Sequence, residues 1–285
     1  MLGSAVHVDA PGSARDRFGP GPGRLSHAAE RDLTASIAMD DCLMQAMLDF
    51  DDHHWWYRGR RKIIRSELDR LALPIDAKVL DAGCGSGRTL TELAPYGEVF
   101  GIELDPDAAD IARGRDAGEV RVGRLEELPW DADTFDLITC LDVIEHTADD
   151  RVTLGELRRV SKPGGWLLVT VPAYQALWSQ HDEANHHFRR YGRRTLRTAA
   201  LDSGWRVHRV TSFNSLLFPP AAAVRIAQRM RPSSDYKPDL TLGPSWLNSV
   251  LERPLALEAS WLARGRTLPV GLSLMALLEN PGPAT

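Results

Sequence analysis

Apolar residues along the chain fall into two textures, and the change between them marks the architecture. From Asp32 to Phe50, the positions Leu33, Ile37, Leu43, Met44, Met47 and Leu48 recur at helical spacing. A second helical stripe starts near Tyr57 and runs to Leu71, with Ile63, Ile64, Leu68 and Leu71 on one face and Arg58, Arg61, Lys62 and Arg65 on the other. Short β-rich runs then alternate with helical stretches. The pattern predicts strands at 78–82, 98–103, 120–122, 135–141 and 165–171, with helices near 88–94, 106–115 and 150–161. Lys162-Pro163-Gly164-Gly165 predicts a turn before the fifth strand. Two later strands, 205–213 and 271–278, bracket predicted helices at 216–230 and 246–263, which a Pro/Ser/Asp-rich loop separates. Strand–helix alternation at this spacing implies right-handed βαβ crossovers, hence a doubly wound, mostly parallel α/β sheet with helices on both faces.

Composition narrows the class. The 285 residues can bury an ample core, and 43% hydrophobic with 26% charged residues is ordinary for a globular chain. A formal charge of −5 argues against nucleic-acid binding through bulk charge. Cys42, Cys84 and Cys140 lie far apart, which disfavours a disulfide framework or a structural zinc site and fits a reducing compartment. There is no run of about 18 apolar residues and no basic-then-apolar leader, so the expectation is a cytoplasmic protein without stable membrane insertion. Residues 1–30, rich in Gly, Pro, Ser and Ala, are expected to be a disordered leader. Eight Trp outnumber seven Phe and five Tyr.

The candidate chemistry begins where the first strand runs into Val79-Leu80-Asp81-Ala82-Gly83-Cys84-Gly85-Ser86-Gly87. Glycines at 83, 85 and 87 permit a tight turn and close approach of a ligand, and the next helix offers unpaired N–H groups. Glu103 closes the second strand about twenty residues on, where dinucleotide folds place an acid against ribose hydroxyls. The minimal reading is a nucleoside-containing ligand across the carboxyl ends of the sheet. The G-x-G-x-x-G fingerprint of NAD proteins would need glycine at position 88, which is Arg88. Asp81 would repel a pyrophosphate but suits a ligand bearing an ammonium or sulfonium group.

Four blocks resemble the catalytic domain of class I S-adenosylmethionine (SAM) dependent methyltransferases: VLDAGCGSG at 79–87, VFGIELDP at 99–106, LEELPWDADTFDLITCLDVIEH at 125–146 and RVSKPGGWLLVTVP at 159–172. Weaker likeness at HHWWYRGRR (53–61) and HHFRRYGRRTL (186–196) resembles a bacterial subgroup acting on small molecules and cell-surface glycans. The resemblance implies a Rossmann-like, seven-stranded sheet whose last strand is antiparallel, with SAM as cofactor. It divides the chain into an N-terminal helical lid (31–74), a SAM-binding domain (75–213), a helical insertion (214–268) and a last strand with tail (269–285). By resemblance, Asp81, Gly83 and Gly85 line the methionine portion of SAM, Glu103 holds the ribose, and Leu104, Leu125 and Glu126 flank the adenine. Leu141 and Asp142 lie beside the methionine end, and Trp56, Tyr57 and Arg60 of the lid complete the cofactor-binding set. The family often has an acid where this chain has Arg124, so Glu126 or a backbone carbonyl must accept from the adenine amino group here.

Methyl transfer from a sulfonium needs an aligned acceptor, exclusion of water and, for a hydroxyl or ammonium acceptor, a base. Histidine titrates in the right range, and His146, His181 and His186 are the candidate catalytic residues. No metal is assigned; a divalent ion on His181, Asp182 and His186 or His187 is the weaker alternative, because no ligand spacing is specific. Trp178, Arg189, Arg190 and Tyr191 are candidate acceptor contacts, with arginines pairing a carboxylate or phosphate. For the insertion the expectation is an apolar lid that also serves a homodimer, ahead of a membrane contact. Most tryptophans fall in the predicted covers and would roof the methyl group. The expected function is methylation, at oxygen first, of a small anionic or glycosylated metabolite in bacterial biosynthesis. Behind it stand N- or C-methylation, non-methyl chemistry on the same fold, an NAD-type oxidoreductase and a non-catalytic partner subunit.

Overall fold

The computed structural model describes residues 53–230 and 245–283. The expected leader, the helix over 32–50, Cys42 and the loop at 231–244 lie outside the described residues. Seven strands form one sheet: β1 (Lys78–Ala82), β2 (Glu98–Glu103), β3 (Glu119–Val122), β4 (Phe135–Leu141), β5 (Ser161–Pro172), β6 (Arg206–Phe213) and β7 (Ser273–Glu279). Their order is β3-β2-β1-β4-β5-β7-β6, parallel except that β7 runs antiparallel to both neighbours. Strand order reverses between β1 and β4. The crevice outside the carboxyl ends of those two strands is where doubly wound sheets bind ligands.

The apolar runs explain the layering. All seven residues of β4 and four of five in β1 are buried, as expected for central strands covered on both faces. Leu80, Ile102, Ile138 and Val169 face one core, closed by Leu154 and Leu157 of α4 (Asp150–Val160) and Leu196 and Ala199 of α6 (Arg193–Asp202). Val79, Leu137, Leu168 and Met275 face the other. That core is closed by α1 (Trp55–Leu68), α2 (Arg88–Leu93), α3 (Pro106–Gly114) and α8 (Ser245–Leu262). A short α5 (Gln180–Ala184) and α7 (Phe218–Met230) complete the set.

Three expectations change. Lys162–Gly165 does not end an element: β5 starts at Ser161, and the ladder with β4 shifts register there, so the Pro-Gly-Gly run forms a bulge inside the strand. Residues 180–184 and 193–202, for which the pattern assigned no element, are helices. The N-terminal helix and the insertion helix are also more than lids. Ile63, Ile64 and Leu68 of α1 and Leu255, Ala259 and Leu262 of α8 all sit in the sheet core. The two helices meet at Gly59, where an added Cβ would lie 2.3 Å from Leu255 Cδ1. Buried Glu252 of α8 ties them further, pairing with Lys62 Nζ at 2.5 Å and Arg58 Nε at 3.1 Å. Among the described residues no helix is long and apolar enough to cross a membrane.

Candidate active site

The turn after β1 is shaped by what surrounds it. Gly83 adopts φ +80°, and a Cβ there would lie 2.6 Å from Val143 Cγ2; Gly87 adopts φ +78° with Ala112 at 2.7 Å. Only glycine satisfies both the left-handed backbone and the close packing. The N–H groups of Gly83 and Cys84 donate to Ile102 O at 2.9 and 3.0 Å, so the turn is fastened to β2. Glu103 at the end of β2 accepts from Gly85 N at 2.7 Å through Oε2, and from Leu104 N at 2.8 Å and Asp105 N at 3.1 Å through Oε1. A Cβ at Gly85 would meet nothing within 4 Å, so open space lies above the turn. Leu104 is 48% exposed at this edge, an apolar platform for a flat ring, while Leu125 is buried in the core. Glu126 is half-buried and faces Arg124 Nε at 3.6 Å.

Asp81 is buried under the turn and accepts from Thr139 Oγ1 at 2.6 Å. Leu141, also buried, ends β4. Asp142 follows with φ +57°, which aims its carboxylate back toward α1. There Arg60 Nη2 meets Asp142 Oδ2 at 2.5 Å and donates to Thr170 Oγ1 at 3.3 Å. Trp56 stacks on Phe213 at 6.0 Å between centroids and 9° between planes, which makes it a packing residue at the end of β6. Tyr57 lines a small cleft between α1 and α2 with Arg60, Ile64, Arg88 and Tyr96. The donor side therefore offers a sugar-facing acid, an apolar platform, open space over the glycines and a buried carboxylate beneath. That set fits a nucleoside with a cationic sulfonium and does not fit a pyrophosphate.

On the acceptor side, the structure sorts the candidates. Asp182 is fully buried; its Oδ1 accepts from Arg190 Nε at 2.7 Å and faces His187 Nδ1 at 2.9 Å, while Oδ2 accepts from Ser179 N at 2.8 Å. These contacts hold its carboxyl far below the usual range, against the opposing pull of burial. The histidine held by Asp182 is thus His187; His181 lies 6.3 Å from it, ring to ring, and His186 is exposed in a left-handed turn at φ +53°. His146 packs edge-on against His187 at 4.6 Å, and the low-dielectric surroundings push its pKa down. Three candidate acceptor contacts are otherwise engaged. Arg189 donates to the carbonyls of Thr147 and Ala148, Arg190 is buried on Asp182, and Tyr191 is buried with its hydroxyl donating to Asp150 Oδ2 at 2.8 Å. They build the site's wall rather than face an acceptor. Trp178 is half-buried, with its indole N–H directed at Glu183 Oε1 at 3.4 Å.

Several tryptophans pack against the protein's own residues. Trp205 donates to Leu154 O inside the core, Trp130 packs against Phe100 and Phe135, and Trp166 packs against His208. Trp246 and Trp261 are exposed on α8. Sequence reasoning also passes over Glu145. It is fully buried beside His146, and its backbone O accepts from Phe188 N at 2.8 Å, which docks the His187 segment against it. The block VIEH carried the signal, but a glutamate in an apolar run gives no sign of facing inward.

Comparison with known proteins agrees with this geometry. Residues 80–169 match the Methyltransf_11 family, described as a methyltransferase domain. An uncharacterized 37.1 kDa protein in transposon TN4556 of Streptomyces fradiae is 30% identical over 213 residues, 66% of this chain and 61% of that protein. A ubiquinone biosynthesis O-methyltransferase of Hahella chejuensis is 34% identical over 139 residues, 42% of this chain and 58% of that one. The chain spans about three fifths of the length of these curated relatives. In fold it is similar to phosphoethanolamine N-methyltransferase 2 of Haemonchus contortus, solved in complex with SAM (TM-score 0.59, 16% identity, covering 88% of this chain and 60% of that one). Residues 80–169 form a methyltransferase domain, and together these likenesses support a class I S-adenosylmethionine-dependent methyltransferase.

Proposed function

We propose that the protein transfers the methyl group of SAM to an oxygen of a small, anionic or glycosylated metabolite in a bacterial biosynthetic pathway. The observation that carries this reading is the donor cradle: Glu103 braced on the glycine turn, with Asp81 buried below it and open space above Gly85. SAM supplies an activated methyl on a cationic sulfur. Glu103 would hold the ribose hydroxyls, Leu104 would pack on the adenine, and Asp81 and Asp142 would complement the positive methionine end. Arg60 positions Asp142. The acceptor edge gathers Glu145, His146 and His187, the groups placed to draw a proton from a hydroxyl. Oxygen is favoured because relatives such as that of Hahella chejuensis are named as O-methyltransferases.

A cytoplasmic setting is supported by Cys84 and Cys140, buried thiols that form no disulfide. Homodimerisation is supported by an exposed apolar face on α8: Trp246, Val250, Leu257 and Trp261 recur at helical spacing and are all at least 40% exposed. The function is tested by incubating the full chain with SAM and a panel of hydroxylated aromatic and aliphatic acids, following S-adenosylhomocysteine and the methylated product. Oxygen-methylated product supports the reading. S-adenosylhomocysteine formed only with amine acceptors would move the reaction to nitrogen.

A further inference from the structure

The carboxyl edge holds a group of side chains that the donor cradle does not use. Glu145 is 0% exposed, and neither carboxylate oxygen has a hydrogen-bond partner among the described residues. Leaving a carboxylate so is costly, because burial removes its water and nothing replaces it. Its neighbours do not balance it. Asp142 is taken up by Arg60, and Asp182 by Arg190. Of these three carboxyl groups, Glu145 is the one that no guanidinium pairs with among the described residues.

What stands beside it is nitrogen. Ligand atoms from Glu145, His146 and His187 all lie within 4.8 Å of one another. His187 is oriented for such a role. Its Nδ1 faces Asp182 Oδ1 at 2.9 Å, which leaves Nε2 as the free lone pair. A carboxylate behind a histidine is the usual way proteins fix the tautomer and raise the basicity of a metal ligand. Arg190 and Ser179 hold Asp182 in turn, so the orientation is built into the wall.

We propose that Glu145, His146 and His187 form a binding site for a divalent transition cation of the zinc or manganese class, with Asp182 as the positioning residue behind His187. One carboxylate and two imidazoles suit such ions, and three protein ligands leave coordination positions open. Resting on the methyl-transfer reading, the site explains how a hydroxyl acceptor loses its proton. A cation held there would lower the pKa of an acceptor hydroxyl beside it, whose proton would pass to solvent. The oxygen lone pair then forms the O–CH3 bond as the S–CH3 bond breaks. That electron pair stays on sulfur, giving neutral S-adenosylhomocysteine, the methyl ether and one proton.

The test uses the full, untagged chain, stripped with a chelator and dialysed, then titrated with Co2+ while the visible ligand-field bands are recorded. S-adenosylhomocysteine binding is measured by calorimetry on the same preparations. One equivalent of Co2+ is expected, with bands that report nitrogen and oxygen ligation. Glu145→Gln and His187→Ala should each weaken it by at least about tenfold, and Asp182→Asn by about 10- to 100-fold through His187. Glu145→Gln keeps the shape of the buried side chain while removing its acidity, and His146→Ala provides a second ligand variant. Co2+ binding that is absent, or unchanged in Glu145→Gln and His146→Ala while S-adenosylhomocysteine still binds, overturns the metal site. Stoichiometric Co2+ binding without S-adenosylhomocysteine binding leaves the metal site standing and removes the methyl-donor reading.

Discussion

Arg60 and Asp142 form an ion pair, Nη2 to Oδ2 at 2.5 Å, that joins the first helix to the carboxyl end of the fourth strand. Asp142 N also donates to Thr170 O at 2.9 Å, and Arg60 reaches Thr170 Oγ1, so β4, β5 and α1 converge on one carboxylate. The arginine's side chain is 13% exposed and the aspartate's 32%, enough burial for the pair to hold a defined geometry. An arginine that seemed in sequence to belong to ligand binding is a strut for an acid that faces the ligand.

Arg60→Ala should therefore weaken SAM binding about tenfold and lower stability by about 1–2 kcal/mol, in keeping with a hydrogen bond to a charged group. Calorimetry with SAM and urea unfolding check both numbers. Arg60→Lys should recover part of the binding, because it keeps the charge and loses the second donor.

Gly83→Ala places a side chain at φ +80° and within 2.6 Å of Val143. Both effects act in the folded state, so a loss of at least about 2 kcal/mol of stability is expected. SAM binding should fall below detection. A Tm unchanged from wild type would show that the turn is less constrained than its packing indicates.

Glu103→Ala removes the acceptor for three backbone N–H groups as well as the proposed ribose contact. SAM affinity should drop at least about 30-fold, a loss of about 2 kcal/mol. Glu103→Gln keeps one oxygen for the turn and should unfold close to wild type while still binding poorly. Comparing the two variants separates bracing of the turn from recognition of the sugar.

His54 gives a pH dependence independent of the acceptor edge. It is the N-cap of α1: Trp56 N donates to its Nδ1 at 3.3 Å, which requires a neutral ring, and burial lowers its pKa from 6.5. Below about pH 6.5 the unfolded chain takes up a proton that the folded chain resists, so this contribution to stability is lost as pH falls. His54→Asn keeps a capping acceptor that does not titrate. Its urea midpoint should change less than that of wild type between pH 7 and pH 5. Parallel pH profiles would remove the cap from the account.

Much of this was legible in the sequence because local patterns agree with the global fold. The run Val79–Gly87 specifies strand, turn and helix at once, and the strands it leads into were readable within a few residues. The acceptor wall was not. Asp182 and His187 are separated by a helical turn whose existence the polar run Gln180–Asn185 does not announce. Arg189 and Tyr191 sit in an arginine-rich stretch that reads as a binding surface, yet they are consumed by carbonyls and by Asp150. Composition locates large side chains but not which way they face. Trp56 meets Phe213, some 157 residues later, through a contact that only the closed sheet creates.

The central claim is that the crevice between β1 and β4 receives a SAM-type nucleoside, and the most direct test is a pair of calorimetric titrations of the full chain. S-adenosylhomocysteine should bind at one site with a Kd of about 1–100 μM, roughly −8 to −5.5 kcal/mol, and Glu103→Ala should weaken it at least about 30-fold, while NAD gives no binding heat. Binding of NAD in place of S-adenosylhomocysteine would contradict the account.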